Sequence, residues 1–118
     1  MSAPTKTSSQ LHFEILLDEQ KMPEKIYWQA DSATGHQHQN ECKAMLVALW
    51  DGQQQESMKI DLWTNEMRVD EMNLLFYQTF HAMADTLKRA TGNEEAALNI
   101  KAFANMFGEN TEVVKKVE

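Results

Sequence analysis

The sequence predicts an α+β fold: a four-stranded antiparallel β-meander followed by two C-terminal helices packed on one of its faces. Three observations carry that expectation. Apolar and polar residues alternate across residues 11–30 and again across 58–63. After Thr64 the apolar spacing changes to threes and fours. The two helix-spaced stretches come last and together, as α+β chains arrange them. With 118 residues the chain has room for one sizeable core.

The first strand starts near Gln10. Leu11, Phe13, Ile15 and Leu17 alternate with His12, Glu14, Leu16 and Asp18, so the first set lies on one face. Asp18 to Pro23 has turn chemistry, and Pro23 cannot donate to a central ladder. A second strand follows, with Ile26, Trp28 and Ala30 on one face and Lys25, Tyr27 and Gln29 on the other. The pair reads as a hairpin. Asp31 to Asn40 is polar, contains Gly35 and reads as a loop.

Lys43 to Trp50 is a short apolar run, which periodicity alone cannot assign to a strand or a helix. Context favours a strand. The run ends at Asp51-Gly52, and beyond a Gln-rich turn Met58, Ile60 and Leu62 alternate with Lys59, Asp61 and Trp63. A second hairpin is therefore expected at 43–64, and a helical reading of 40–50 stays open.

Met72, Phe76, Phe80, Met83 and Leu87 form one stripe of a first helix. Asp70 suits its N-cap, Glu71 its positive end, Lys88 and Arg89 its last turn. Gly92 suits a left-handed stop. Asn93 can cap a second helix with the stripe Ala96, Ile100, Phe103, Ala104 and Phe107, ending at Gly108. The expected organisation is a flexible tail at 1–9, one α+β domain at 10–108, and a charged tail at 109–118.

Composition excludes several functions. Eighteen acidic against eleven basic residues give a net charge of −7. That balance opposes binding to phosphate backbones or anionic lipid. The expectation is a chain with no nucleic-acid partner and no membrane insertion. The N-terminus has no apolar signal core, and one cysteine permits no intrachain disulfide, so a cytoplasmic location is expected. No G-x-G-x-x-G, P-loop or G-x-S-x-G motif occurs.

His36, His38 and Cys42 form the best metal-like cluster, because His and Cys are zinc ligands. Their spacing closes no four-ligand site, so a solvated polar loop is the simpler reading. His81 reads as a boundary side chain and His12 as exposed. Capping and solvation account for Asp18, Glu19, Asp61, Asp70, Glu71 and Asp85 without an acid–base pair. No catalytic, cofactor-binding or metal residue is assigned.

The informative feature is surplus apolar surface. The run at 43–50 offers Met45, Val47 and Leu49 to one face and Ala44, Leu46, Ala48 and Trp50 to the other, while two helices cover only one side. Neighbouring strands add Leu16, Tyr27 and Trp63 opposite the core set. A water-facing antiparallel sheet alternates more cleanly than this. The expected protein interface is Leu16, Tyr27, Met45, Val47, Leu49 and Trp63, most simply between sheets of a homodimer. The alternative is a tail folded over that face, although both tails are poor in large apolar groups.

Three stretches carry a family resemblance: Met22-Pro-Glu-Lys-Ile-Tyr-Trp28, Lys59-Ile-Asp-Leu-Trp-Thr64, and Val69-Asp-Glu-Met72 with Phe76-Tyr-Gln-Thr79 and Met83-Ala-Asp85. Arg89-Ala-Thr-Gly92 extends them. With these strings the chain resembles the gliding-motility-associated GldC family of Bacteroidetes, from about Leu11 to Phe107. The resemblance implies a small soluble accessory protein of gliding motility, linked to type IX secretion, without enzymatic activity. A second similarity is architectural only. Strands followed by helices, with an acidic surface, look like the SecB export chaperone, which would imply a holdase for unfolded export clients.

Overall fold

The computed structural model describes residues 7–31 and 38–115. Most of the expected N-terminal tail, the centre of the 31–40 segment and the last three residues lie outside it. The chain divides into two compact units, one up to Met67 and one from Arg68 on.

The first unit holds five strands: β1 (Leu11–Leu17), β2 (Pro23–Ala30), β3 (His38–Cys42), β4 (Ala44–Asp51) and β5 (Glu56–Trp63). β1 and β2 pair antiparallel with Phe13 opposite Trp28 and Ile15 opposite Ile26, so the alternation predicts both pairing and face. Ile26 is fully buried. The connecting turn is built by Asp18, whose Oδ1 accepts from the Gln20 N–H at 2.8 Å and the Met22 N–H at 3.0 Å. Lys21 takes a left-handed φ of 63° there.

Two corrections concern the sheet. Residues 38–42 form β3 against β2, with Cys42 opposite Ile26 and Asn40 opposite Trp28, although the sequence reads as a loop up to Asn40. The strands also do not form one four-stranded meander. They form a three-stranded sheet, β1-β2-β3, and a separate two-stranded ribbon, β4-β5. The chain passes from one to the other at Lys43, which alone separates β3 from β4. Lys43 O accepts from the Thr64 N–H at 2.8 Å, tying the bend to the end of β5, and Thr64 is buried.

Residues 43–64 fold as the expected hairpin, which excludes the helical reading of 40–50. Asp51 Oδ1 accepts from the Gln53 and Gln54 N–H groups at 2.9 and 3.2 Å, and Gln55 adopts a φ of 54° to close the loop. These bonds fix the Asp51 carboxylate directly opposite Glu56, a like-charge pairing that costs the hairpin a little at its tip.

The second unit is a helical pair, α1 (Val69–Thr91) and α2 (Glu94–Asn110). The N-cap of α1 is Arg68, not Asp70. Glu71 reaches back to accept the Arg68 N–H at 3.1 Å, and Asp70 instead pairs with the Arg68 guanidinium at 2.9 Å. Gly92 is the left-handed stop and Asn93 the cap of α2, its Oδ1 accepting from the Ala96 N–H at 3.0 Å. The seam is aromatic and small: Phe76 and Phe80 meet Phe103 and Phe107, while Ala84, Ala97, Ala104 and Gly108 are buried. Gly108 lies within α2 and does not end it. Met83, counted in the stripe, is 53% exposed, and its neighbour Ala84 takes the seam position.

Candidate functional site

The β4-β5 ribbon concentrates exposed apolar side chains. Its register sets Met45 opposite Leu62, Val47 opposite Ile60 and Leu49 opposite Met58. Directly opposed residues share a face. One face of the ribbon therefore carries six neighbouring apolar side chains, closed at the tip by the acidic pair Asp51 and Glu56. Exposure rises along it, from Met45 at 9% near the Lys43 bend to Leu49 at 53% and Met58 at 63% near the tip.

The other face is mixed. Trp63 lies opposite Ala44, Leu46 opposite Asp61, Ala48 opposite Lys59 and Trp50 opposite Ser57. Trp63 and Trp50 are both largely exposed. Trp63 and Leu62 also line a small apolar notch of about 190 Å³ with Met22 and Pro23.

This register divides the six residues expected to form one interface. Met45, Val47 and Leu49 come together on the face with Met58, Ile60 and Leu62. Trp63 stands on the opposite one. Leu16 and Tyr27 belong to the other sheet, on a face where Leu16 adjoins Lys25 and Tyr27 sits between Glu14 and Glu41. There Lys25 Nζ donates to Glu41 Oε1 at 3.2 Å, which holds the lysine above its ordinary pKa. Met58, Ile60 and Leu62 complete the apolar face. Their alternation is legible in the sequence, but the hairpin register that decides which β4 residues they accompany is not.

The three residues of the metal-like cluster are described only in part. His36 lies outside the described residues. His38 and Cys42 stand four positions apart along β3, a strand distance of about 13 Å, far beyond the reach of one ion's first shell. Among the described residues no group of three or more His, Cys, Asp or Glu side chains gathers as a metal site would require. Burial pushes the Cys42 thiol above its ordinary pKa. His12 Nε2 donates to Gln10 Oε1 at 2.8 Å on the surface, and the His81 ring stacks edge-on against Tyr77 with centroids 4.8 Å apart.

An apolar surface of this kind can exclude water against a matching surface. Residues 23–113 match the family model of gliding motility-associated GldC-like proteins. The chain belongs to the GldC-like family, which is described by its part in gliding motility and not by a reaction. No curated protein and no solved structure matches the chain. Among the described residues no helix is long and apolar enough to cross a membrane.

Proposed function

We propose that this chain is a non-enzymatic, cytoplasmic accessory protein of gliding motility and the type IX secretion machinery linked to it, acting through protein–protein contacts made by the β4-β5 ribbon. One observation carries the reading: six apolar side chains share a face of a two-stranded ribbon, and those near its tip are more than half exposed. A two-stranded ribbon is marginal by itself in water, and exposed Leu and Met side chains each gain on the order of 1 kcal/mol when half their surface is buried.

The test is capture from a gliding host with the wild-type chain and with Leu49→Asp. Leu49 is exposed, so the charge leaves the fold intact and removes the contact. The expected result is a defined set of motility or secretion components that the wild type retains and the variant loses. Retention of the same set by Leu49→Asp overturns the assignment of the surface. Suppression of aggregation of many unrelated unfolded clients, at near-stoichiometric ratio, would instead support the holdase reading.

A further inference from the structure

β4 pairs with β5 along one of its two edges. The Lys43–Thr64 bond continues the β4-β5 register by one step, and hydrogen-bonded pairs recur at every second residue of an antiparallel ladder. Met45, Val47 and Leu49 therefore direct their backbone groups at β5. The N–H and C=O groups of Ala44, Leu46, Ala48 and Trp50 point the other way, where the Ala44 N–H bonds to the Cys42 side chain. Among the described residues no strand pairs with that edge.

Edges left open in folded proteins are usually guarded by charge, proline or a bulge. β5 is guarded: its outward residues include Lys59 and Asp61. β4 is not. From Ala44 to Trp50 it carries no charge and no proline, and charges stand only at its two ends, Lys43 and Asp51.

We propose that a second copy of this chain pairs with β4 edge to edge, antiparallel, about a two-fold axis at Val47. The inference rests on the reading of the ribbon as a protein-contact element and names its partner. Only pairings among the outward residues can exchange backbone bonds, which places the axis on a residue and not between two. The axis at Val47 alone engages all four: Leu46 opposite Ala48 of the second copy, Ala44 opposite Trp50. It also sets Lys43 of each copy opposite Asp51 of the other, a favourable cross-strand charge pair at both ends. The product is a four-stranded sheet, β5-β4-β4-β5, in which two marginal ribbons support each other and the apolar faces become continuous.

The experiment uses the full chain with Cys42→Ser as background. In Val47→Cys the new thiol faces its own counterpart at a non-hydrogen-bonded site, with Cβ atoms about 4.5–5.5 Å apart, close enough to bridge after a small adjustment. Mild oxidation is expected to yield a covalent dimer. Leu49→Cys, which would lie opposite Met45 and not itself, is expected to remain uncoupled. Leu46→Pro removes an N–H that makes no bond to β5, and is expected to weaken self-association roughly tenfold or more by light scattering, with its circular dichroism unchanged. A wild-type chain that stays monomeric at high concentration overturns the proposal, as does coupling through Leu49→Cys or a dimer indifferent to Leu46→Pro. A monomeric chain that still captures a motility partner through Leu49 would overturn the self-pairing and leave the proposed function standing.

Discussion

Gly108 lies flat against the ring of Tyr77. A methyl group at that glycine would stand 2.9 Å from Tyr77 Cδ2 and Cε2 and 2.8 Å from Val114 Cγ2, all closer than carbon contacts allow. The backbone φ of Gly108 is ordinary helix, so the glycine is required for closeness and not for conformation. Its carbonyl also accepts the Val113 N–H at 2.9 Å, folding the chain after α2 back onto the same spot.

Gly108→Ala is therefore expected to destabilise the helical unit. Overpacking costs about 1–3 kcal/mol, and the gain in helix propensity returns at most about 1 kcal/mol. Urea midpoints read by helical circular dichroism measure the balance. A stabilised variant would mean that Tyr77 and Val114 yield freely.

The helix junction makes the opposite case. Gly92 has nothing within 4 Å of where a Cβ would sit, but its φ is 74°. Gly92→Ala should cost about 1–2 kcal/mol through the left-handed backbone alone. Asn93→Ala should cost about 1 kcal/mol by leaving the Ala96 N–H without its cap. The two residues adjoin one turn, so the double variant tests whether the costs add.

Asp85 and Lys101 join α1 to α2 at 2.9 Å. The hydrogen bond from Lys101, and then its charge, hold the Asp85 carboxyl below its ordinary pKa. A depressed carboxyl contributes stability that is present above its unfolded pKa and is lost as pH falls through its folded one. Lys101→Met should lower the denaturation midpoint slightly at neutral pH and low salt. The difference from wild type should close under acid and in high salt, because both side chains are largely exposed.

Legibility follows where the physical signal is local. The alternation of β1 and β2 reveals pairing and face together, although Leu11, Phe13 and Leu17 on the apolar side of β1 stay exposed. The Gly92-Asn93 stop and cap are equally local, because each acts on backbone within one turn. β3 was not legible: Gln39, Asn40 and Glu41 are polar on both faces, and an edge strand paired along one side leaves no period-2 trace in such residues. The division at Lys43 was hidden for a different reason. A single residue changes which strand pairs with the chain, and nothing in its side chain announces that. Apolar alternation alone does not set the register of the 43–64 hairpin, so the sequence groups Trp63 with Val47 and Leu49, which the pairing places on opposite faces. The N-cap slipped by two residues because Glu71 reaches back to the N–H of Arg68, a role that any residue at that position can fill.

Cys42 should react slowly. Desolvation raises its thiol pKa, with the neighbouring Glu41 charge adding in the same direction and the Ala44 N–H opposing. Less thiolate at neutral pH means slower alkylation than in a short peptide, and denaturant should restore the peptide rate. A group raised this way favours the fold fully below its unfolded pKa and loses that contribution as pH rises through the folded value. Stability should accordingly fall at alkaline pH in the wild type more than in Cys42→Ser, which a urea titration at neutral and alkaline pH would measure.

The apolar face of the ribbon should divide into a structural base and a free tip. Met45, at 9% exposure beside the Lys43 bend, belongs to the packed base, and Met45→Ala should cost about 2 kcal/mol or more. Leu49, two positions further along the same face, is 53% exposed, so Leu49→Ala should leave the stability of a dilute monomer nearly unchanged. If the tip engages another protein surface, that ordering reverses for binding: Leu49→Ala weakens association while Met45→Ala acts only through the fold. Denaturation at low concentration, set beside association measured by light scattering, separates the two effects. A large loss of monomer stability from Leu49→Ala would show that the tip is already covered within one chain, and would remove the reason to place a contact there.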